Sequence, residues 1–229
     1  MAGVLYGVGV GPGNPKLLTL QAVEVIQKVD FIAVPDTNGE KTAMKVVKDY
    51  IKDKEILYCP MPMSRDLRLV EQGHIKSCHM LEERLIKGYD IAFITLGDPT
   101  IYSTYMYIHR RIIDRGYTAK IISGITSFCA AAAALNTSLC DREEVLHIIP
   151  ASYDGIEKSL LLDGNKILMK SGKKLSEVKN TLKRFKLERN SQAVECCSME
   201  NERVYENIDQ IPEDSSYFSI ILVKDKSNI

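Results

Sequence analysis

Three short glycine-containing segments carry most of the chemistry this sequence offers: Gly9-Val10-Gly11-Pro12-Gly13, Leu96-Gly97-Asp98-Pro99 and Ser123-Gly124-Ile125-Thr126-Ser127. Each follows an apolar run that reads as a buried strand. Glycine at the carboxyl end of a strand lets a ligand approach backbone N–H and C=O groups, and open parallel sheets bind ligands along that edge. Three such loops in one chain point to a small-molecule site more strongly than any one alone. Asp98 is either an acceptor for a ligand hydroxyl or ammonium, or an ordinary turn aspartate ahead of Pro99.

The spacing excludes two nucleotide readings. A G-x-G-x-x-G pattern begun at Gly7 meets Pro12, and one begun at Gly9 meets Asn14, so a nicotinamide-dependent oxidoreductase is disfavoured. No G-x-x-x-x-G-K-[ST] phosphate loop is present. Of the six cysteines, Cys59, Cys78, Cys129, Cys140, Cys196 and Cys197, none stands in a C-x-x-C, and free thiols in a reducing cytosol are expected. On a helix His74 and Cys78 share a face, but His79 points elsewhere and no fourth ligand is near. No protein-bound metal is therefore expected.

The elements that must position these loops alternate. Val4 to Val10 reads as a strand, followed by a helix containing Leu17, Leu18, Ala22, Val25 and Ile26 with Thr19 as its cap. Further strands are expected at Phe31–Val34, Glu55–Tyr58, Asp90–Leu96 and Lys120–Ile122, and helices at Ala43–Tyr50, Leu69–Lys87 and Tyr105–Arg115. This is the pattern of a mostly parallel sheet with crossover helices. After an alanine-rich helix at Ala130–Leu135 come strands at Leu146–Ile149, Ile167–Met169, Gln192–Cys196 and Phe218–Val223. Helices at Ile156–Leu162 and Leu175–Phe185 lie between them. A second α/β unit fits.

Composition narrows the partners. The chain has 229 residues, 45% hydrophobic and 26% charged, which is globular rather than disordered. Lys plus Arg and Asp plus Glu are both 30, so net charge gives no support to a nucleic-acid or membrane-surface partner. No apolar run is long enough to span a bilayer, and no basic segment precedes Val4-Leu5-Tyr6. A cytoplasmic protein is expected.

The residues also resemble a known family. Leu5-Tyr6-Gly7-Val8-Gly9-Val10-Gly11-Pro12-Gly13-Asn14-Pro15-Lys16-Leu17-Leu18-Thr19 resembles the opening signature of the tetrapyrrole methylases, the class III S-adenosylmethionine-dependent methyltransferases. Thr95 through Thr104 is similar to their second motif. Gly124-Ile125-Thr126-Ser127-Phe128, with the alanine helix behind it, is similar to the third. Order and spacing agree over essentially the whole chain. The run Ile101-Tyr102-Ser103-Thr104-Tyr105-Met106-Tyr107-Ile108 most resembles the branch that methylates C20 in cobalamin biosynthesis. Pro60-Met61-Pro62-Met63 and Ile148-Ile149-Pro150-Ala151 also fit that branch. Ser123 departs from the pattern, since proline commonly precedes this glycine.

The resemblance implies two α/β domains, 1–123 and 124–229, with mostly parallel or mixed sheets, the cofactor in a cleft between them, and a homodimer. It places S-adenosylmethionine against Pro12, Gly97, Asp98, Ile101, Thr126 and Ser127. From the C-terminal half it adds Met169 and Ala193, with core packing an equal reading for Met169. Asp98 and Tyr102 are the proton acceptors it suggests for the transfer, although Tyr102 serves equally as a wall. Arg65 and Arg68, then Arg142 and Lys170, would hold the substrate's carboxylates, or are ordinary surface charges.

The implied reaction is methyl transfer to C20 of cobalt-precorrin-2 or metal-free precorrin-2, any cobalt arriving with the substrate. Lysine- and isoleucine-rich usage is an associational pointer to the cobalt form. Alternatives are a methylase for another corrin carbon, a ribosomal-RNA or diphthamide methylase of the same superfamily, or a non-catalytic tetrapyrrole- or nucleotide-binding module.

Overall fold

A computed structural model describes residues 1–36, 42–153, 155–213 and 218–225. The chain divides into two compact units, Met1–Thr126 and Ser127–Ile229. The sequence expectation set the boundary between 123 and 124. Gly124, Ile125 and Thr126 instead stay with the first unit, where the Gly124 N–H is bonded to Asp98.

In the first unit five strands, β1 (Val4–Gly9), β2 (Phe31–Asp36), β3 (Glu55–Pro60), β4 (Ile91–Thr95) and β5 (Thr118–Ile122), form a sheet of order β3-β2-β4-β1-β5. Every pairing is parallel. Parallel neighbours require crossovers, and the helices α1 (Leu20–Lys28), α2 (Thr42–Val47), α3 (Leu67–Leu85) and α4 (Tyr105–Asp114) supply them. Both faces of the sheet are therefore buried, which is why β4 is apolar throughout rather than alternating. Ile91 and Phe93 pack towards α3 and α4 with Leu81, Leu85, Ile108 and Ile112. Ala92 and Ile94 face α1 and α2 with Ala22, Ile26, Val46 and Val47.

Two local details depart from the sequence reading. Leu17 closes a 3-10 turn over Pro15–Leu17, opened by the Asn14 side chain, and α1 begins only after Thr19 caps the Ala22 N–H at 3.1 Å. β2 continues through Pro35, because its ladder to β4 ends at Ala33 and the edge towards β4 is open beyond that point.

The second unit holds α5 (Ser127–Ala134), β6 (Leu146–Pro150), α6 (Ile156–Leu160), β7 (Asn165–Met169), α7 (Leu175–Arg184), β8 (Ser191–Glu195), β9 (Arg203–Tyr205) and β10 (Ser219–Val223). Its sheet runs β6-β7-β10-β8-β9 and is mixed: β6 and β7 are parallel, while β10 is antiparallel to both β7 and β8. Buried Asn165 ties its corner, donating to the Leu139 carbonyl and Glu144, each at 2.8 Å, and accepting from the Asp225 N–H at 2.9 Å. Two α/β units, one sheet parallel and one mixed, match the expected fold class.

Candidate active site

β1 and β4 are neighbours, yet their crossovers leave in opposite directions. α1 carries the chain from β1 to β2 on one face, and α4 carries it from β4 to β5 on the other. Such a switch point opens a crevice at the carboxyl ends of the strands, where ligands bind. The three glycine loops meet at this edge. Gly11 and Gly97 form an isolated antiparallel bridge, with N–H···O distances of 3.2 and 2.8 Å in the two directions. A Cβ on Gly9 would lie 2.6 Å from both the Gly124 nitrogen and the Gly97 carbonyl oxygen. A Cβ on Gly124 would lie 2.3 Å from that same oxygen. Backbone is stacked on backbone, and no larger residue fits either position without displacing a loop.

Asp98 fastens the second loop to the third. Its Oδ1 accepts from the Thr100 N–H at 2.8 Å and the Thr100 hydroxyl at 2.5 Å, and its Oδ2 accepts from the Gly124 N–H at 3.0 Å. The nearby Ser123 hydroxyl favours the charged carboxylate as well. Burial alone would raise this carboxyl, but the bonds from Thr100 and Gly124, with the Ser123 hydroxyl, outweigh it and hold Asp98 below the usual carboxylate value. At the base of the second loop Thr95 and Ser103 join by hydroxyl–hydroxyl contact at 3.0 Å, closing residues 96–102 into a clasped excursion.

Within that excursion Ile101 is half-buried, and Tyr102 is exposed with φ +49°, the left-handed region that a residue with a Cβ seldom adopts. Burial raises the Tyr102 phenol. At neutral pH it therefore keeps its proton and offers a donor and an aromatic face rather than a base. Pro12 and Gly97 are buried at the loop junction. Thr126 Oγ1 is buried with no hydrogen-bond partner among the described residues. An orphaned hydroxyl beside a backbone cradle fits a ligand that brings its own polar atom.

The other expected contacts belong to other elements. Ser127 opens α5 in the second unit, and Met169 and Ala193 are buried on β7 and β8. Lys170 follows Met169 with φ +57°, and burial lowers its ammonium. Arg142 is exposed in the second unit. Arg65 and Arg68 are exposed around the start of α3, and no acidic side chain among the described residues pairs with either. His74 stacks on Tyr107 at 5.1 Å, while His79 lies 3.4 Å from Glu82. Cys78 is in the core. Thr100, Ser103 and Thr95 were not anticipated. Their signal was a hydroxyl two residues after Asp98 and another two residues ahead of the Tyr105 N–H, visible only once the turn is known.

The fold and these loops define an α/β protein with a glycine-built ligand edge, and the chain belongs to the tetrapyrrole (corrin/porphyrin) methylases, whose family model matches residues 4–212. It is 41% identical over 181 residues, 77% of each chain, to a probable cobalt-precorrin-2 C(20)-methyltransferase of Methanocaldococcus jannaschii. It is 28% identical to the cobalt-precorrin-2 C(20)-methyltransferase of Salmonella typhimurium, over 97% of each chain. Among solved structures, a cobalt precorrin-4 methyltransferase superposes with a TM-score of 0.77 at 18% identity, covering 96% of this chain and 94% of the other. The Thermus thermophilus uroporphyrin-III C-methyltransferase complexed with S-adenosylhomocysteine gives 0.74 at 16% identity, covering 97% of each. The protein is thus a methyltransferase by family.

Proposed function

We propose that this protein transfers the methyl group of S-adenosylmethionine to C20 of cobalt-precorrin-2, with metal-free precorrin-2 as the alternative substrate. The observation that carries the reading is the loop junction: Gly9, Gly97 and Gly124 in backbone contact, Asp98 pinning them, and the Thr126 hydroxyl left without a partner. The 41% identity to an archaeal relative named for that transfer supports the particular carbon.

When bound, S-adenosylmethionine supplies a methyl already activated by its sulfonium. The chain's part is alignment and exclusion of water, which together account for much of the barrier in an in-line displacement. Gly97, Pro12 and Ile101 shape the cradle, and Thr126 and Ser127 offer hydroxyls to polar atoms of the cofactor. Met169 and Ala193 are its apolar contacts. Tyr102, held in a left-handed conformation and protonated, forms a wall for the macrocycle. As the C20–methyl bond forms and the carbon–sulfur bond breaks, the C20 proton must leave. Neither Asp98, whose oxygens already accept three hydrogen bonds, nor Tyr102, which keeps its proton, is a ready acceptor, so water or the macrocycle's own nitrogens take it. Arg65 and Arg68 hold peripheral carboxylates, with Arg142 and Lys170 as further cations.

A cytoplasmic homodimer completes the reading. No helix among the described residues is long and apolar enough to cross a membrane.

The test is methyl transfer from labelled cofactor to precorrin-2 and to its cobalt complex in parallel, with the methylated carbon assigned by NMR. Label at C20 supports the reading, and the faster substrate decides the metal state. Label at another carbon sinks the branch assignment. No transfer despite tight S-adenosylhomocysteine binding points to a non-tetrapyrrole methylase.

A further inference from the structure

The geometry points to Gly73 and Ser77 of α3 as positioning residues for the tetrapyrrole. They seat residues 60–62, so that Met63 and Leu67 stand out beside Arg65 and Arg68 as an apolar platform with a cationic rim. The inference rests on the substrate reading above and deepens it, adding the side chains that meet the face of the macrocycle.

A glycine in the middle of a helix is destabilising relative to alanine, yet Gly73 stands inside the 19-residue α3. What lies against it gives the reason. A Cβ there would lie 2.3 Å from Pro62 Cδ, 2.8 Å from Pro62 Cγ and 3.1 Å from the Pro60 carbonyl oxygen. The proline ring occupies the place of the missing methyl. Four residues on, along the same helix face, the buried Ser77 hydroxyl donates to that Pro60 carbonyl at 2.8 Å. Met61, between the two prolines, is 1% exposed and packs in the core with Leu81 and Leu85. The chain leaving β3 is thus held at three consecutive residues, two of them prolines of fixed φ.

This seat lies at the ligand edge. β3 ends at Pro60 and β4 at Thr95, and the strands run parallel, so both chains leave the sheet on the same side. Only β2 separates them, which sets the two strand ends about 10 Å apart. Beyond the seat the chain turns into α3. Ser64 Oγ accepts from the Asp66 N–H at 3.0 Å, and Asp66 Oδ1 accepts from the Arg68 N–H at 2.9 Å to cap the helix. Met63 is 76% exposed and Leu67 79%, one on each side of exposed Arg65. A flat apolar ring with carboxylates around its rim matches both chemistries: its face covers methionine and leucine, and its edge meets guanidinium groups.

The platform holds the ring before and during the transfer alike, so its loss falls on KM for the tetrapyrrole rather than on kcat. Met63→Ala alters an exposed side chain and no packing. It is expected to raise KM for the cobalt complex of precorrin-2 about three- to tenfold, as for a methionine partly covered by substrate. S-adenosylhomocysteine affinity and melting temperature should not change. Ser77→Ala removes the bond to Pro60 and is expected to raise the same KM about two- to tenfold, the worth of one hydrogen bond. In protein labelled with 13C at the methionine methyls it should also shift the Met61 and Met63 signals before any ligand is added. Gly73→Ala acts in the same direction and further, and if it fails to fold the other two variants carry the test.

An unchanged KM in Met63→Ala overturns the platform. Ser77→Ala overturns the seat if it shifts the methyl signals and leaves KM alone, or if it weakens tetrapyrrole and S-adenosylhomocysteine equally, since either result describes packing only. Failure of the substrate reading looks different: the unaltered protein then methylates neither precorrin-2 nor its cobalt complex, and the inference falls with it. If the unaltered protein methylates one of them and the variants match it, the inference alone falls.

Discussion

The hydroxyls of Thr95 and Ser103 meet at 3.0 Å across the neck of the loop that carries Asp98 and Tyr102, one at the end of β4 and the other just ahead of α4. Ser103 has a second task. Thr104, at the formal cap position, makes no side-chain bond, and it is Ser103 Oγ that accepts from the Tyr105 N–H at 3.2 Å. Ser103→Ala is therefore expected to lose both the clasp and the cap, costing about 1 kcal/mol of stability. Chemical denaturation measures it. Cofactor affinity should fall in the same variant, because Ile101 and Tyr102 lie inside the clasped segment.

Gly124→Ala tests the loop junction directly. The new methyl would stand 2.3 Å from the Gly97 carbonyl oxygen and 2.7 Å from the Gly9 carbonyl carbon, both backbone atoms with no rotamer to change. Overpacking of this kind costs about 1–3 kcal/mol. We expect a lower melting temperature and the loss of any shift on adding S-adenosylhomocysteine. A variant that melts and binds like the unaltered protein would show the loops are looser than drawn.

Acid should weaken the first unit through Asp98. Its folded-state carboxyl lies below the ordinary value of 3.8, because the bonds from Thr100 and Gly124, with the Ser123 hydroxyl, overcome the opposing effect of burial. The unfolded chain therefore takes up a proton first as pH falls. The stabilisation is complete above pH 3.8 and is lost as pH drops towards and through the folded value. Urea melts between pH 7 and pH 3 should show Asp98→Asn less stable at neutral pH, with the gap closing at the acid end. A gap constant with pH would contradict the assignment.

Arg65 and Arg68 should act on the tetrapyrrole alone. Truncating either to alanine is expected to raise KM for the corrin substrate about ten- to a hundredfold, the range for a hydrogen bond to a charged group. The rise should shrink in high salt, since both side chains are exposed. Calorimetry with S-adenosylhomocysteine supplies the control, because a weakened cofactor would place these residues elsewhere.

Thiol accessibility checks the cores independently of function. Cys129 and Cys140 are exposed, while Cys59, Cys78, Cys196 and Cys197 are buried. Burial pushes the Cys59 and Cys197 thiols up to about 12. An aromatic disulfide reagent at mildly alkaline pH should titrate two thiols quickly in the native protein and the other four only after denaturation.

The parallel unit was legible in the sequence because burial on both faces makes β4 a continuous apolar run, and because glycine with proline ends β1 and β4 sharply. β9 was not, since Arg203-Val204-Tyr205 is three residues long with a single buried side chain, too short for any period to register. The reach of β2 through Pro35 was missed for another reason: whether proline ends a strand depends on which neighbour flanks it, a tertiary fact. At the site, the glycines and Asp98 stood out by type. What Asp98 touches did not, because the Gly124 partner lies 26 residues away and only the strand order brings the two together.

That strand order has a consequence for synthesis. The first sheet has all five of its strands by Ile122, with β4 joining the β2–β3 pair to β1 as soon as it is made. The second is built around its last strand, for β10 lies between β7 and β8 and supplies the ladder each needs on that side. Until Ser219–Val223 has left the ribosome, β7 and β8 wait with open edges, the state in which nascent chains recruit chaperones or stick to one another. The amino-terminal sheet has every strand it needs long before the carboxyl-terminal one receives its keystone.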